Sequence, residues 1–414
     1  MAGPIEMLKG VTPLPAGFRA AAMACGIKDP KKKKTDLALL VSDEPTVAAA
    51  SFTTNRIKAA PVRASMLHIR NEEIRAMIVN SGNANACNGP NGIVDARKIC
   101  KAVSKELGLR RRQVFICSTG IIGVPLPVEN IRDSVPELVE KLSPGGWNKV
   151  AKAILTSDTK KKVSGAKFKI GQKEVTVTGI AKGAGMINPN MATMLAFIAT
   201  DVAITKEALQ QSTHCAVDES FNRITVDGDM STNDTVLVMA NGTAGNRRIE
   251  LGSRSCKLFR EALTCVMLDL AKQIVKDGER VTKFVEVHVR GAASFQDAQK
   301  VAEAVANSAL VKCSWNGSDP NWGRIMDVIG YSGARVSEQV IDIFFDGLAA
   351  ARNGMASDTP IDELKRVVSA PELRVVIDLH LGDADHTVFT TDISEGYVAF
   401  NRQEYAEKVR SSGR

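Results

Sequence analysis

A threonine that follows a small residue and a glycine-rich loop is the most chemically suggestive feature of this 414-residue sequence. The segment KGAGMINPNMATMLAFIATD, residues 182–201, places Thr193 directly after Ala192, where the loop meets an apolar, strand-like stretch. A threonine hydroxyl is a weak nucleophile unless a base lies beside it, and cutting the chain before it would supply its own α-amine as that base. Taken alone, the pattern is more typical of a hairpin loop that leads into a core strand.

A second candidate feature is the pair Thr119–Gly120 in the segment CSTGIIG. Acyl transfer requires hydrogen-bond donors for the oxyanion of its tetrahedral intermediate. A threonine hydroxyl and a glycine backbone N–H are suitable donors, and this pair follows a predicted strand. The residues alone leave open an ordinary strand-to-turn Ser-Thr-Gly.

The motifs of several other enzyme classes are absent from the sequence. It contains no G-x-S-x-G, no P-loop and no H-E-x-x-H, and its five histidines follow no metal-ligand spacing. The eight cysteines form no C-x-x-C pair, which argues against zinc and against a disulfide framework. We therefore predict thiols buried in a reducing compartment, and no metal.

The net charge of +8, from 54 basic and 46 acidic side chains, is concentrated in short basic runs. The runs Lys31–Lys34, Arg110–Arg112 and Lys160–Lys162 have no interleaved aromatic residues. A nucleic-acid surface favours such aromatics, so we interpret the runs as solvated faces and expect no nucleic-acid partner. The sequence shows no signal peptide and no apolar run of membrane-spanning length, which predicts a soluble, cytoplasmic protein.

Short apolar runs alternate with segments of helical periodicity along the chain, and its length favours two or more domains. The predicted strands are 36–43, 46–54, 76–82, 113–120, 173–183, 194–204, 234–242 and 283–292, followed by a closing antiparallel sheet of 341–347, 373–382, 386–394 and 396–401. The predicted helices are 94–109, 131–142, 147–155, 206–221, 255–275 and 297–313, the fifth of them apolar all round and therefore buried. Periodicity alone supports an α/β or α+β protein.

Several long, ungapped stretches resemble the ornithine acetyltransferase (glutamate N-acetyltransferase) family, whose members cleave themselves at an Ala-Thr bond. They include GFRAAAMACGIK (17–28), VNSGNANACNG (79–89), AKAILTSDT (151–159), SFNRITVDGDMSTNDTVLVMANG (220–242) and DPNWGRIMDVIGYSGA (319–334). The resemblance covers nearly the whole chain. It implies a four-layer α-β-β-α sandwich over residues 1–280, like that of N-terminal-nucleophile-type aminopeptidases, and a smaller C-terminal α+β domain over 281–414.

The resemblance also implies roles for individual residues. It places self-cleavage between Ala192 and Thr193, makes Thr193 the nucleophile, and assigns the oxyanion hole to Thr119 and Gly120. The substrate contacts that it implies are Thr156, Lys182, Thr193, Glu279 and Asn401. The Asp- and Asn-rich segment 220–235 is interpreted as scaffold near the active site.

The implied activity is a ping-pong transfer of acetyl from N-acetylornithine to glutamate through an acetyl-threonine enzyme in arginine biosynthesis. No metal or organic cofactor is required, and acetyl-CoA is a candidate second donor. The implied assembly is a heterotetramer of two cleaved chain pairs. Two alternatives stay open, namely a self-processed amidase or aminopeptidase of the same fold, and a non-catalytic binding relative.

The sequence departs from the family pattern at two places near the implied substrate contacts. Arg280 and Val281 follow Glu279 where the family has small residues, and an arginine there could pair with the glutamate. Ala406 stands near the C-terminus where the family has a hydroxyl that contacts substrate.

Overall fold

The computed structural model describes residues 4–10, 12–31, 33–70, 73–188 and 194–402. They fall into two compact units along the chain. The first unit comprises the described residues within 1–183, 190–222 and 230–274, and the second those within 184–189, 223–229 and 275–414. No helix among the described residues is long and apolar enough to cross a membrane.

The first unit contains ten strands and most of the long helices that the structure describes. Its strands are β1 (Glu6–Met7), β2 (Phe18–Met23), β3 (Leu37–Ser42), β4 (Val47–Phe52), β5 (Ala76–Asn83), β6 (Val114–Ile121), β7 (Lys162–Ile170), β8 (Lys173–Lys182), β9 (Leu195–Thr200) and β10 (Thr235–Ala240). Its helices are α1 (Ala60–His68), α2 (Gly89–Glu106), α3 (Val128–Glu140), α4 (Trp147–Ala153), α5 (Lys206–Asp218) and α6 (Arg254–Lys276), of which the last two residues belong to the second unit.

Two sheets of the first unit pack face to face. One has six strands in the order β1-β7-β8-β9-β10-β4, and the other has four in the order β2-β3-β5-β6. The sequence of strand β3 is apolar throughout because both of its faces are buried. Its Leu40 lies in the core between the sheets, whereas Leu39 and Val41 lie in a second core against the outer helices. Because side chains alternate between the two faces of a strand, a sheet covered on both sides needs a continuous apolar run.

Helices cover the outer faces of both sheets. The outer core of the four-stranded sheet includes residues from α1, α2 and α3. On the six-stranded sheet, Gly179 of β8 lies against Leu270 and Val266 of α6, and α5 contacts β4. The layers of the first unit are therefore helix, sheet, sheet and helix, which confirms the predicted four-layer sandwich.

The second unit is a single sheet packed against helices. Its strands are β11 (Phe284–Ala292), β12 (Asp342–Phe345), β13 (Leu348–Arg352), β14 (Met355–Ala356), β15 (Glu372–Asp378) and β16 (Ala384–Thr391), in the order β14-β13-β12-β15-β11-β16. Its helices are α7 (Phe295–Asn307), α8 (Ala309–Asn316), α9 (Trp322–Tyr331) and α10 (Ile361–Val368), and a further helical segment spans 395–402. One buried core joins the sheet to these helices.

Three predicted elements of the second unit are wrong in detail. The single helix predicted over 297–313 is two helices, because Ser308 adopts an extended conformation and its hydroxyl accepts a hydrogen bond from the Val311 amide to begin α8. The closing sheet is mixed rather than antiparallel, since β11 and β15 are parallel. Residues 396–401 are helical, which reflects how poorly periodicity separates helix from strand in a short apolar run.

Exposed side chains correct two further expectations from the sequence. Helix α6 is not buried all round, because Lys257, Glu261, Cys265 and Asp269 form an exposed stripe at helical spacing. All eight cysteines are free thiols, but Cys87 and Cys313 are exposed like Cys265 rather than buried.

Candidate active site

The two ends of the predicted cleavage loop are described, but its centre is not. Ala192 and Thr193, the predicted cleavage pair and nucleophile, lie outside the described residues. The upstream flank is described as far as Asn188, and the downstream flank begins at Met194. The described part of the candidate site therefore consists of the residues that contact these two flanks and of the predicted oxyanion pair.

The predicted oxyanion pair, Thr119 and Gly120, lies where parallel strands β5 and β6 come very close together. Thr119 is buried, and Gly120 pairs with Gly82 of β5 at a backbone φ of +136°. A Cβ atom on Gly120 would lie 2.2 Å from the Gly82 carbonyl carbon and 2.4 Å from the Asn83 nitrogen. Only glycine fits both the backbone conformation and the space, so sterics alone require a glycine at position 120.

The predicted substrate residues Thr156 and Lys182 are in direct contact. The Lys182 side chain is 3% exposed, and its Nζ donates to Thr156 Oγ1 at 2.8 Å. The same Nζ lies 3.7 Å from Oδ2 of Asp158, a carboxylate that is fully buried. The structure thus brings these two predicted residues together around an aspartate to which the sequence analysis gave no role.

Asp158 organises the start of the upstream flank. It accepts the amides of Gly183 at 2.6 Å and Thr156 at 2.9 Å, and it pairs with Lys162. Burial acts to raise the pKa of this carboxyl, but the charges of Lys182 and Lys162 outweigh burial and hold its pKa well below its usual range. Two buried lysines, Lys182 and Lys162, thus lie beside the Asp158 carboxylate at this position.

The buried position of Lys162 corrects the interpretation of the basic run 160–162 as a solvated face. Lys160 and Lys161 are exposed, but Lys162 begins β7 with its side chain 1% exposed.

A second cation missed by the sequence analysis is Lys28, whose Nζ donates to the carbonyls of Thr35 and Ala153. Burial lowers the pKa of Lys28 to about 8.

In the second unit, the predicted substrate residues Glu279 and Asn401 are also brought together. Asn401 Nδ2 donates to Glu279 Oε2 at 3.1 Å, and the Glu279 amide donates to the Ala184 carbonyl at 2.9 Å. A Cβ on Gly185 would lie about 2.5 Å from the Glu279 carboxylate, so this glycine lets the carboxylate lie against the backbone of the upstream flank.

Arg280 does not neutralise Glu279 among the described residues. Its guanidinium lies over the Phe400 ring, 5.3 Å from the centroid, and its backbone has a φ of +57°. The expectation that this arginine could pair with its neighbour is therefore wrong, because the left-handed backbone turns the two side chains to different partners. The predicted departure at Ala406 lies outside the described residues.

Asp227 holds the middle of the upstream flank and was not singled out from the sequence. Its carboxylate accepts the amides of Met186 at 2.6 Å and Ile187 at 2.9 Å, and the Tyr397 hydroxyl at 3.3 Å. Burial raises the pKa of Asp227, and the amide bonds act in the opposite direction. The aspartates in the segment 225–234 were a weak signal, because acidic residues next to glycine are common in loops.

The chain can now be compared with known proteins. The model of the ArgJ family matches residues 19–406. This chain belongs to the ArgJ family. The arginine biosynthesis bifunctional protein ArgJ of Geobacter sulfurreducens is 48% identical over 386 residues, covering 93% of this chain and 98% of the relative. The protein of that name from Symbiobacterium thermophilum is 44% identical over 397 residues, covering 96% and 99%.

Two solved structures carry related names. A crystal structure of arginine biosynthesis bifunctional protein ArgJ from Bacillus halodurans is 38% identical, covers 50% of this chain and 98% of its own, and has a TM-score of 0.49. The crystal structure of ornithine acetyltransferase complexed with ornithine from Mycobacterium tuberculosis is 37% identical, covers 45% and 98%, and has a TM-score of 0.41. As an ArgJ family member, the chain is an acetyltransferase of arginine biosynthesis.

Proposed function

We propose that the chain cleaves itself between Ala192 and Thr193 and then transfers acetyl from N-acetylornithine to glutamate through an ester on Thr193. One observation about the upstream flank carries the proposal. The flank begins at a buried cation, Lys182, whose Nζ donates to the predicted substrate residue Thr156. The carboxylate of an N-acetyl amino acid is the matching group for this cation.

The first half-reaction follows from the groups around Thr193. The free α-amine takes the hydroxyl proton while Oγ attacks the acetyl carbonyl carbon. The Thr119 hydroxyl and the Gly120 N–H stabilise the resulting oxyanion. When the C–N bond breaks, the α-nitrogen of ornithine takes the proton from the Thr193 ammonium and leaves as an amine.

The second half-reaction is the reverse of the first with another amino acid. The amine of glutamate attacks the acetyl ester, the Thr193 oxygen leaves and recovers a proton, and N-acetylglutamate is released. Self-cleavage uses the same hydroxyl, because attack of Thr193 on the Ala192 carbonyl converts the peptide into an ester that water hydrolyses. One nucleophile thus serves both reactions.

Lys182 and Glu279 supply opposite charges for the substrate. We assign the substrate carboxylate to the Lys182 side, where the buried Lys182 ammonium donates to the predicted substrate residue Thr156. We assign the ornithine ammonium to Glu279, whose carboxylate is held by Asn401. Glutamate lacks the ammonium, so its second carboxylate gains no such attraction from Glu279.

We also propose that acetyl-CoA is a second acetyl donor to glutamate. The proposed assembly is a heterotetramer of two cleaved chain pairs, which native mass spectrometry would test. The free cysteines support a reducing, cytoplasmic location.

Intact-mass analysis tests the central proposal. Purified protein should give two chains, 1–192 and 193–414. Addition of N-acetylornithine alone should add one acetyl group to the second chain, and glutamate should remove it. Release by water at the same rate without glutamate would instead indicate an amidase, and an uncut chain with no adduct would indicate a binding protein.

A further inference from the structure

Two adjacent side chains, Asn233 and Asp234, lie buried just before β10 and have separate partners in the first unit. Asp234 Oδ1 accepts the backbone amide of Met194 at 2.9 Å, and the amide of Thr235 donates to the Met194 carbonyl at 3.1 Å. Met194 is the residue that follows Thr193 in the chain. The first described residue after the proposed nucleophile is therefore held at both its amide and its carbonyl.

Asn233 holds the strands that carry the proposed oxyanion pair. Its Nδ2 donates to the carbonyl of Ser118 at 2.8 Å and to the carbonyl of Ala84 at 2.7 Å. Ser118 immediately precedes Thr119 in β6, and Ala84 immediately follows β5. The Asn233 Oδ1 accepts the Thr232 hydroxyl at 2.6 Å, so the orientation of the amide group is determined by its partners.

We propose that Asn233 and Asp234 are paired positioning residues that fix the nucleophile segment relative to the oxyanion pair. Neither side chain is proposed to react; each acts through a backbone group next to a reacting residue. The proposal rests on the proposed function, because it takes Thr193 as the nucleophile and Thr119 and Gly120 as donors. Because the two residues are neighbours at the start of β10, they can hold both segments at a fixed distance from each other. Such precision matters, because a displacement of about 1 Å between reacting groups can cost about 10²-fold in rate.

The two side chains need opposite hydrogen-bonding properties. Asn233 must donate, because both partners of its Nδ2 are carbonyl oxygens. Asp234 must accept, because the Met194 amide donates to its Oδ1. Complete burial raises the pKa of Asp234 well above its ordinary value, while the Met194 amide and the charge of Lys182 act in the opposite direction. An asparagine at this position would keep an accepting oxygen for the Met194 amide.

Asp201 offers a matched control on the same strand. It follows the other end of β9, is also buried, and accepts the Thr176 amide at 2.8 Å. The six residues of β9 separate it from Met194 by roughly 20 Å at the rise of an extended strand. Loss of Asp201 should therefore weaken the same sheet without displacing the nucleophile.

The test exchanges donor and acceptor at the two positions. The variants are Asn233→Asp, Asp234→Asn, Asp234→Ala and the control Asp201→Ala, each assayed as cleaved protein for kcat, KM and Tm. We expect Asn233→Asp and Asp234→Ala to lower kcat by about 10²-fold with KM within about threefold, and Asp234→Asn to remain within about threefold of wild type. Asp201→Ala should lower Tm as much as Asp234→Ala does, yet keep its kcat.

Several outcomes would overturn the positioning roles. Equal losses in Asp234→Asn and Asp234→Ala would show that an ionised carboxylate is needed, and a matching kcat loss in Asp201→Ala would show a purely structural effect. If a variant cleaves too slowly to yield cleaved protein for kinetics, its cleavage half-time is measured instead, with the same ranking expected. Failure of the proposed function is separate, because wild type would then form no acetyl-Thr193 ester at all.

Discussion

The two flanks of the cleavage loop are held by the same kind of contact but by different parts of the molecule. Upstream, Asp227 of the second unit accepts the amides of Met186 and Ile187. Downstream, Asp234 of the first unit accepts the amide of Met194. In both cases a carboxyl group, partly exposed in Asp227 and buried in Asp234, satisfies backbone N–H groups that no helix or sheet pairs, which fixes an irregular segment at low cost.

Self-cleavage would make these two anchors unequal. Before cleavage, both flanks determine the position of the scissile peptide. After cleavage, only Met194 remains covalently attached to Thr193, so the downstream anchor alone continues to orient the nucleophile. Upstream contacts should therefore matter mainly for processing, and downstream contacts for processing and for every later turnover.

The largest effect is expected from Thr193 itself, which the downstream flank carries. Thr193→Ala should remain an uncut chain and form no acetyl-enzyme, whereas Thr193→Ser should cut and transfer more slowly, because loss of the β-methyl frees χ1. Intact mass with N-acetylornithine measures both. Acetyl transfer between the two amino acids by Thr193→Ala would remove the covalent route.

A smaller but still large effect is expected at the oxyanion pair. Thr119→Ala should lower kcat by about 10²–10³-fold, the usual loss for one oxyanion donor, with little change in KM. Steady-state kinetics on cleaved protein measure the two constants separately. A raised KM with unchanged kcat would make Thr119 a substrate-binding residue instead.

Replacing the upstream anchor should separate processing from turnover. Asp227→Ala removes the acceptor for two amides, and we expect cleavage to slow by about tenfold, corresponding to about 1.4 kcal/mol, with a smaller loss in kcat of the cleaved protein. Asp227→Asn, which keeps an acceptor oxygen, is the control. Cleavage is followed by gel densitometry, and an equal loss in both steps would contradict the difference between the flanks.

The smallest effect concerns the start of the upstream flank, where Asp158 accepts the Gly183 amide. Because its pKa is depressed in the fold, its contribution to stability is complete above its unfolded pKa near 3.8 and is lost as the pH falls through the folded pKa. Asp158→Asn should therefore lower the free energy of unfolding at pH 7, and the difference from wild type should shrink below about pH 4. Denaturant melts at both pH values check this, and a constant difference would contradict it.

The residue pattern predicted strands such as β3 and β6, because they are apolar on both faces and are bounded by turn residues, whereas the four-layer arrangement was implied by the family resemblance. The resemblance to a family supplied the pairs Thr156–Lys182 and Glu279–Asn401, which the structure places in contact. Periodicity failed to predict the elements whose ends or type are determined by other contacts in the fold. It could not show that one serine would split the helix over 297–313.

The supporting aspartates could not be predicted from local sequence. Asp158, Asp227 and Asp234 each follow or precede turn-forming residues, as many exposed aspartates do. Their role depends on backbone amides that are distant in the chain, such as Gly183 for Asp158. A pattern of residue types carries no information on which amides lack a partner, so these contacts emerge only from the fold.

The strand order of the six-stranded sheet has a consequence for the cleaved protein. Cleavage before Thr193 would leave β8 and β4 on one product and β9 and β10 on the other, yet β9 pairs with β8 and β10 pairs with β4. The products are thus interleaved in one sheet and cannot separate while it is intact. Reassembly after denaturation becomes a meeting of two molecules, so the denaturation midpoint of the mature enzyme should rise with its concentration, whereas that of an uncut chain should not.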